Sequence, residues 1–363
     1  MNDPQGLSQP KRLIPHSVLF GGSERKYLPP CLCAAKPALS GSIIDCRVVA
    51  QACKVWSDFF SPVCRYLGQP YGALRTYYTL DDIGMEVYYQ DMDMPLYDKP
   101  IERMWGVYAP SSYDGSEALP VVVVTHGFTG QFSMFAHNNE WWRVAEDRNF
   151  IAVFPQATPF EGSKAGTARW VSQETEESVL AEITYFENVL DSVKENYNVD
   201  ETRIYATGHS NGGRMTYELS EYMADTFAAT AAVGNSVKRY ETIEDTPQGE
   251  LIMPYYNIEC EYDNTTNPDD PEGNLYWEMM YRLKTNRFDD PTTAEYTENY
   301  NGLYSMRTYQ NDQGIPVVQY SVYDDACHAY FPEISYLVWD NFFTNYSRDE
   351  NGNSYYRGEL IEK

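Results

Sequence analysis

The run Arg203-Ile204-Tyr205-Ala206-Thr207-Gly208-His209-Ser210-Asn211-Gly212-Gly213 carries a β-branched and aromatic stretch into a G-x-S-x-G pentapeptide. It then passes without a linker into a helical pattern over residues 214–225. A serine at such a strand-to-helix corner is pushed outward on a strained backbone, within reach of a histidine and of two backbone N–H groups. The chemistry this permits is nucleophilic attack on a carbonyl, with Ser210 as the nucleophile. Chance pentapeptides of this kind occur in ordinary Gly/Ser turns. The strand before this one and the helix after it favour the catalytic reading.

A serine nucleophile needs a base within hydrogen-bond reach, and the base needs an orienting acid. Five histidines are available. His16 sits in an irregular leader, His126 ends a buried strand, and His209 fills the variable position of the pentapeptide, where it is expected to face the substrate. His137 precedes the serine. In a strand–helix layout the order along the chain is serine, acid, histidine, which leaves His328, in Asp324-Asp325-Ala326-Cys327-His328. The acid belongs in the loop after a strand expected over residues 251–258. Glu259, Glu261, Asp263, Asp269 and Asp270 all qualify by position; Asp263 is preferred because a few loop residues would carry it over the sheet beside His328. The oxyanion donors are expected to be the N–H of Asn211 and one from His126-Gly127-Phe128-Thr129-Gly130, with Phe128 first and Thr129 next. Trp170, Tyr330 and aromatics of residues 264–313 are expected to line the pocket. Cys260 and Cys327 flank the acid and the base, so a disulfide between them is expected, with two buried thiols as the alternative.

The elements that must position these residues follow a regular alternation. Residues 77–89 and 101–108 alternate apolar and polar side chains as antiparallel strands do. Leu119-Pro120-Val121-Val122-Val123-Val124-Thr125 is a continuous apolar run of the kind found in a strand covered on both faces. A helix is expected over 138–147, a buried strand over 150–155, and a long helix over 174–197 with Val179, Ile183, Phe186, Leu190 and Val193 on one face. Strand patterns over 227–233 and 315–323 and a closing helix over 331–343 complete the series. Strands alternating with helices after residue 119 imply a mostly parallel sheet with helices on both faces, an α/β architecture. Residues 1–75 read as an N-terminal extension with one apolar stretch at 43–60, residues 76–350 as the catalytic domain, 264–313 as an acidic, aromatic, lid-like or cleft-lining insertion before the last strand, and 351–363 as a tail.

Composition narrows the partners. The 363 residues hold 27 Lys plus Arg against 53 Asp plus Glu, a formal charge of -26. That field repels nucleic acid and anionic membranes. No apolar run is long enough for a transmembrane helix, and the apolar residues after Lys11 and Arg12 are too few and too broken for a clear signal peptide. A Cys260–Cys327 bridge would argue for an oxidising compartment, extracellular or periplasmic. Five of the seven cysteines lie in the first 64 residues, without the paired C-x-x-C or nearby histidines of a zinc site, so no metal is expected.

On these motifs the chain resembles the α/β-hydrolase esterases that include polyhydroxybutyrate depolymerases, feruloyl esterases and acetylxylan esterases. The likeness covers roughly residues 100–345 and is most specific around the pentapeptide. It implies an α/β-hydrolase fold, a cofactor-free serine carboxylic ester hydrolase with an acyl-enzyme intermediate, and a substrate that is an ester, often of a polymer such as plant polysaccharide or polyester. Two departures stand out. The family commonly has His-Gly-x-x-Asp where this chain has Glu259-Cys260-Glu261-Tyr262-Asp263, and Gly-His-x-Trp-Pro where it has Cys327-His328-Ala329-Tyr330-Phe331-Pro332. The alternatives are a serine peptidase on the same fold and a polysaccharide-binding module that has lost turnover.

Overall fold

The computed structural model describes residues 11–12, 83–95, 98–158, 168–170, 175–237, 246–263 and 267–362. Most of the N-terminal extension, with its five cysteines, the stretch at 43–60 and the start of the strand expected over 77–89, lies outside the described residues.

Eleven strands form one sheet. They are β1 (Lys11–Arg12), β2 (Glu86–Met92), β3 (Ile101–Tyr108), β4 (Leu119–Thr125), β5 (Ile151–Pro155), β6 (Val199–His209), β7 (Ala229–Val233), β8 (Tyr255–Cys260), β9 (Tyr296–Tyr300), β10 (Tyr304–Gln310) and β11 (Pro316–Tyr323). Their spatial order is β1-β2-β3-β5-β4-β6-β7-β8-β11-β10-β9. The six strands from β5 to β11 pair in parallel, and antiparallel strands extend both edges. The chain runs from β4 outward to β5, then crosses back to β6 on the other side of β4. Such a reversal opens a crevice at the carboxyl ends of the strands, and Ser210 stands there.

The β4 run is buried throughout because the sheet is covered on both faces. Val122 and Val124 face one core with Phe150, Phe343 and side chains of α1 (Phe132–Asn139), α2 (Trp141–Arg148) and α6 (Pro332–Asn341), among them Phe135, Trp141 and Trp339. Val121 and Val123 face the other with Val179, Phe186, Val189, Met215 and Leu219, from α3 (Glu176–Asn196) and α4 (Asn211–Tyr222). The even and odd valines part in this way because strand side chains alternate faces.

Several sequence expectations are corrected. The helix expected over 138–147 is two helices, because Glu140 adopts a left-handed backbone (φ 56) that ends α1 and starts α2. The strand expected from residue 251 begins at Tyr255, just after Pro254, which has no N–H to give a ladder. Residues 264–313, expected as a lid-like or cleft-lining insertion, hold regular elements, with strands that extend the main sheet. Their described part forms α5 (Asn274–Thr285), packed against β11, and the β9–β10 hairpin that widens the sheet. Residues 351–363 are no tail: β13 (Ser354–Tyr356) and β14 (Glu359–Leu360) join β12 (Tyr346–Arg348) in a second small sheet.

Arg348 fastens that small sheet to the domain. Its buried guanidinium donates to the carbonyls of Phe227 (2.8 Å), Gly352 (2.7 Å) and Ile252 (2.6 Å). Removing it strands buried carbonyls without donors. Arg348→Met is expected to lower unfolding stability by about 2–4 kcal/mol, read as a fall in the urea midpoint. A loss below about 1 kcal/mol would contradict this role.

Candidate active site

Ser210 occupies the single residue between β6 and α4, at φ 58 and ψ -118. A non-glycine residue held there stores roughly 1–3 kcal/mol of backbone strain, which only a rigid surround sustains. That surround is the close passage of β4. A Cβ on Gly208 would lie 1.9 Å from Thr125 Oγ1, and one on Gly212 would lie 2.2 Å from the Thr125 carbonyl oxygen. The Thr125 hydroxyl donates to the Gly212 carbonyl at 2.8 Å. The Ser210 N–H donates to Val233 (2.8 Å), and its carbonyl accepts from Arg214 (2.9 Å). The glycines of the pentapeptide are therefore contact surfaces, and the corner is clamped from both neighbouring strands.

His328 and Asp263, expected as base and acid, come together from the loops after β11 and β8, neighbours in the sheet. His328 Nδ1 lies 2.8 Å from Asp263 Oδ1; the histidine side chain is 45% exposed and the aspartate 13%. Other carboxylates considered for this role are engaged elsewhere. Glu259 accepts from the Ser236 hydroxyl, Glu261 from the Asp325 N–H, and Asp269 from the Arg307 guanidinium. Asp270 accepts from the Glu272 N–H.

The expected Cys260–Cys327 disulfide is not formed, and both residues are thiols. The buried Cys260 sulfur is directed at the Ala329 carbonyl, 3.8 Å away, and burial pushes its thiol up to about 12. Hydrogen bonds do the work expected of the bridge. Tyr262 N–H donates to Ala326 (3.0 Å), Glu261 N–H to Tyr323 (2.9 Å), and the Tyr262 hydroxyl to the Asp325 carboxylate (3.0 Å). The argument for an oxidising compartment loses its footing with the disulfide.

At the oxyanion loop, Thr129 is excluded as a donor because its N–H goes to the Ala168 carbonyl at 2.9 Å. The N–H of Asn211, the first residue of α4, has no intrahelical acceptor. Sequence reasoning missed what shapes this loop. His126 is fully buried, its Nδ1 donating to the Gly127 carbonyl (2.8 Å) and its Nε2 accepting from the Ala157 N–H (3.1 Å). Burial holds its ring neutral, down to about 4, against the opposing effect of the Gly127 bond. Only the tertiary partners reveal this role; a histidine ending a strand carries no such signal in sequence.

Of the three residues expected to touch substrate, Trp170 turns inward, while Tyr330 and His209 are half-buried. Trp170 is 1% exposed and braces the loop, its indole N–H donating to the His126 carbonyl (2.8 Å) and its backbone N–H to the Asn211 side chain (2.8 Å). The Tyr330 hydroxyl accepts from the Trp141 indole at 2.8 Å. His209 is stacked between Phe135 (centroids 6.3 Å apart) and the His328 ring (4.7 Å). Burial first, then the charge of His328, lowers His209 to about 3, so it stays a neutral ring beneath the base. Gly234, at φ 64, leaves room for both histidine rings: a Cβ there would meet each at 3.1 Å.

The fold, with a serine on a strained strand-to-helix corner at the switch point of a mostly parallel sheet, is that of an α/β-hydrolase. More particularly, the resemblance to esterases is borne out: the Esterase family, described as putative esterase, matches residues 101–236, from β3 through the corner and β7. The bifunctional acetylxylan esterase/xylanase of Neocallimastix patriciarum is 25% identical over 194 residues, 53% of this chain and 25% of that protein. Acetylxylan esterase A of Emericella nidulans is 26% identical over 37% of this chain and 43% of its own length. Poly(3-hydroxyalkanoate) depolymerase C of Paucimonas lemoignei is 26% identical over 31% of this chain and 27% of its length. The chain thus spans between a quarter and less than half the length of these curated relatives. Among solved structures, the acetyl xylan esterase from Aspergillus awamori superposes with a TM-score of 0.49 at 14% identity, over 65% of this chain and 93% of that one.

Glu259, one strand turn from the acid, is 3% exposed, and burial raises its carboxyl to about 8. Between its ordinary value of 4.5 and about 8 the folded chain keeps a proton that the unfolded chain releases, so this contribution to stability is full below 4.5 and is lost as pH rises to about 8. Glu259→Gln removes the penalty. It is expected to stabilise the protein by on the order of 2–3 kcal/mol at pH 7 and by close to nothing at pH 4.5, in denaturant titrations at the two values. Equal effects at both values would show that Glu259 is ionised when folded.

Proposed function

We propose that the chain is a serine carboxylic ester hydrolase in which Ser210 is the nucleophile, His328 the general base and Asp263 the orienting acid. Ser210 Oγ attacks the ester carbonyl as His328 Nε2 takes its proton. The N–H groups of Asn211 and Phe128 hold the oxyanion. The tetrahedral intermediate collapses, the C–O bond to the alcohol breaks, and the imidazolium returns its proton to the departing alkoxide. Water then repeats the sequence on the acyl-enzyme, releasing the acid and restoring Ser210. Asp263 fixes the imidazole with Nδ1–H toward itself, which leaves the Nε2 lone pair for the serine.

The observation that carries this reading is the 2.8 Å contact of His328 with Asp263 at the sheet edge where Ser210 is held at φ 58. The named activities of the relatives, on acetylated xylan and on poly(3-hydroxyalkanoate), support an ester borne on a polymer. So does the openness of the site, since the Phe128 side chain is 52% exposed beside the half-exposed His328.

On p-nitrophenyl acetate, Ser210→Ala is expected to lower kcat by about 10⁴-fold or more and Asp263→Asn by about 10³–10⁴-fold, with KM little changed. Hydrolysis unaltered by Ser210→Ala would end the proposal. A preference for peptide anilides over esters by wild type would replace it with the peptidase reading.

A further inference from the structure

Among the described residues, seven large apolar side chains are prominently exposed, and four of them, Phe128, Tyr262, Tyr300 and Leu303, stand on the edge of the sheet that carries Ser210, Asp263 and His328. The strand directions require this. β11 runs parallel to β8, β10 turns back against β11 with Tyr304 opposite Tyr323, and β9 ends with Tyr300 opposite Ser305. The β9–β10 turn therefore lies at the same end as the acid and base loops. Leu303 is joined to the base loop directly, its carbonyl accepting from the Asp324 N–H at 3.0 Å.

One of these side chains is also anchored, the Tyr262 hydroxyl donating to Asp325 at 3.0 Å. The neighbouring Asp324 carboxylate raises the pKa of the Tyr300 hydroxyl. The two rings stay 49% and 64% exposed. Exposed aromatic faces held still in solvent are a recognition device, since each offers a large rigid contact at little further entropic cost. Tyr262 follows β8 and Tyr300 ends β9, three strand positions away, so the rings are separated by roughly 10–15 Å at about 4.8 Å per strand. A single small ligand does not reach both; an extended chain of rings does.

We propose that Tyr262, Tyr300 and Leu303 form a holding surface for a neutral polysaccharide chain, which presents its bound ester to Ser210. The assignment rests on the esterase reading above and adds where the polymer lies. Sugar rings present flat C–H faces to tyrosine and hydroxyl donors at their rims, and the rim here, Glu261, Asp324 and Asp325, consists of acceptors. A polyester has no donors to offer those carboxylates. The formal charge of -26 turns away anionic polymers.

The test separates holding from hydrolysis. Binding of unsubstituted arabinoxylan to the Ser210→Ala protein is measured by affinity electrophoresis or calorimetry, with polyhydroxybutyrate particles in parallel. Tyr300→Ala is expected to weaken arabinoxylan binding at least about fivefold, and Tyr262→Ala with Tyr300→Ala to abolish it. On the active-serine background, Tyr300→Ala should raise KM for acetylated xylan about as much and change p-nitrophenyl acetate turnover by less than twofold. Tyr262→Phe, which keeps the ring but loses its anchor to Asp325, should bind more weakly than the parent and more tightly than Tyr262→Ala. Arabinoxylan binding unchanged in the double variant, or polyester particles bound more tightly than arabinoxylan, overturns the proposal. Failure of the esterase reading would be seen separately, in p-nitrophenyl acetate turnover.

Discussion

The passage of β4 against the β6–α4 corner is the contact from which the rest of the site takes its position. Thr125 touches the pentapeptide where a Cβ on Gly208 or Gly212 would collide with it. Two glycines let two backbones approach closely, and a threonine hydroxyl caps the approach by bonding to the Gly212 carbonyl. With β7 gripping the Ser210 N–H from the other side, the serine has no relaxed conformation to escape into. The same closeness brings the end of β4, and with it the oxyanion loop, alongside the serine: a Cβ on Gly127 would lie 3.4 Å from Ser210 Cβ.

Around that corner the protein surrounds a polar reaction centre with groups held neutral. His126, His209 and Glu259 are all titratable, and burial keeps each uncharged near neutrality. The consequence is electrostatic economy. The carboxylate at the His328 ring is that of Asp263, and the neighbouring His209 ring, held neutral, does not compete for it. His209 packs against the His328 ring, and Gly234 leaves room for both. Orientation is thus set by packing as well as by the aspartate.

Much of this was legible in the residues, for physical reasons that differ by element. The valine run of β4 is legible because burial on both faces leaves no room for polar side chains. The order serine, acid, histidine follows from strand-end loops meeting at one sheet edge, so His328 emerges by elimination and Asp263 from a short set of carboxylates. The β9–β10 hairpin is not legible, because a strand exposed on every residue carries no alternation. Nor is the small C-terminal sheet, whose attachment depends on a buried arginine and three distant carbonyls. The cysteine pair shows the limit of proximity arguments. The two loops do meet, yet Cys260 points its sulfur at a carbonyl, and backbone hydrogen bonds join the loops instead.

The central claim is that the strained corner makes Ser210 a reactive nucleophile, and a fluorophosphonate probe tests it most directly. After brief exposure of the folded protein and peptide mapping by mass spectrometry, a single adduct is predicted on Ser210, absent in the unfolded chain and slowed by orders of magnitude in His328→Ala. An adduct on another serine, or labelling of Ser210 at the same rate in His328→Ala, would contradict it.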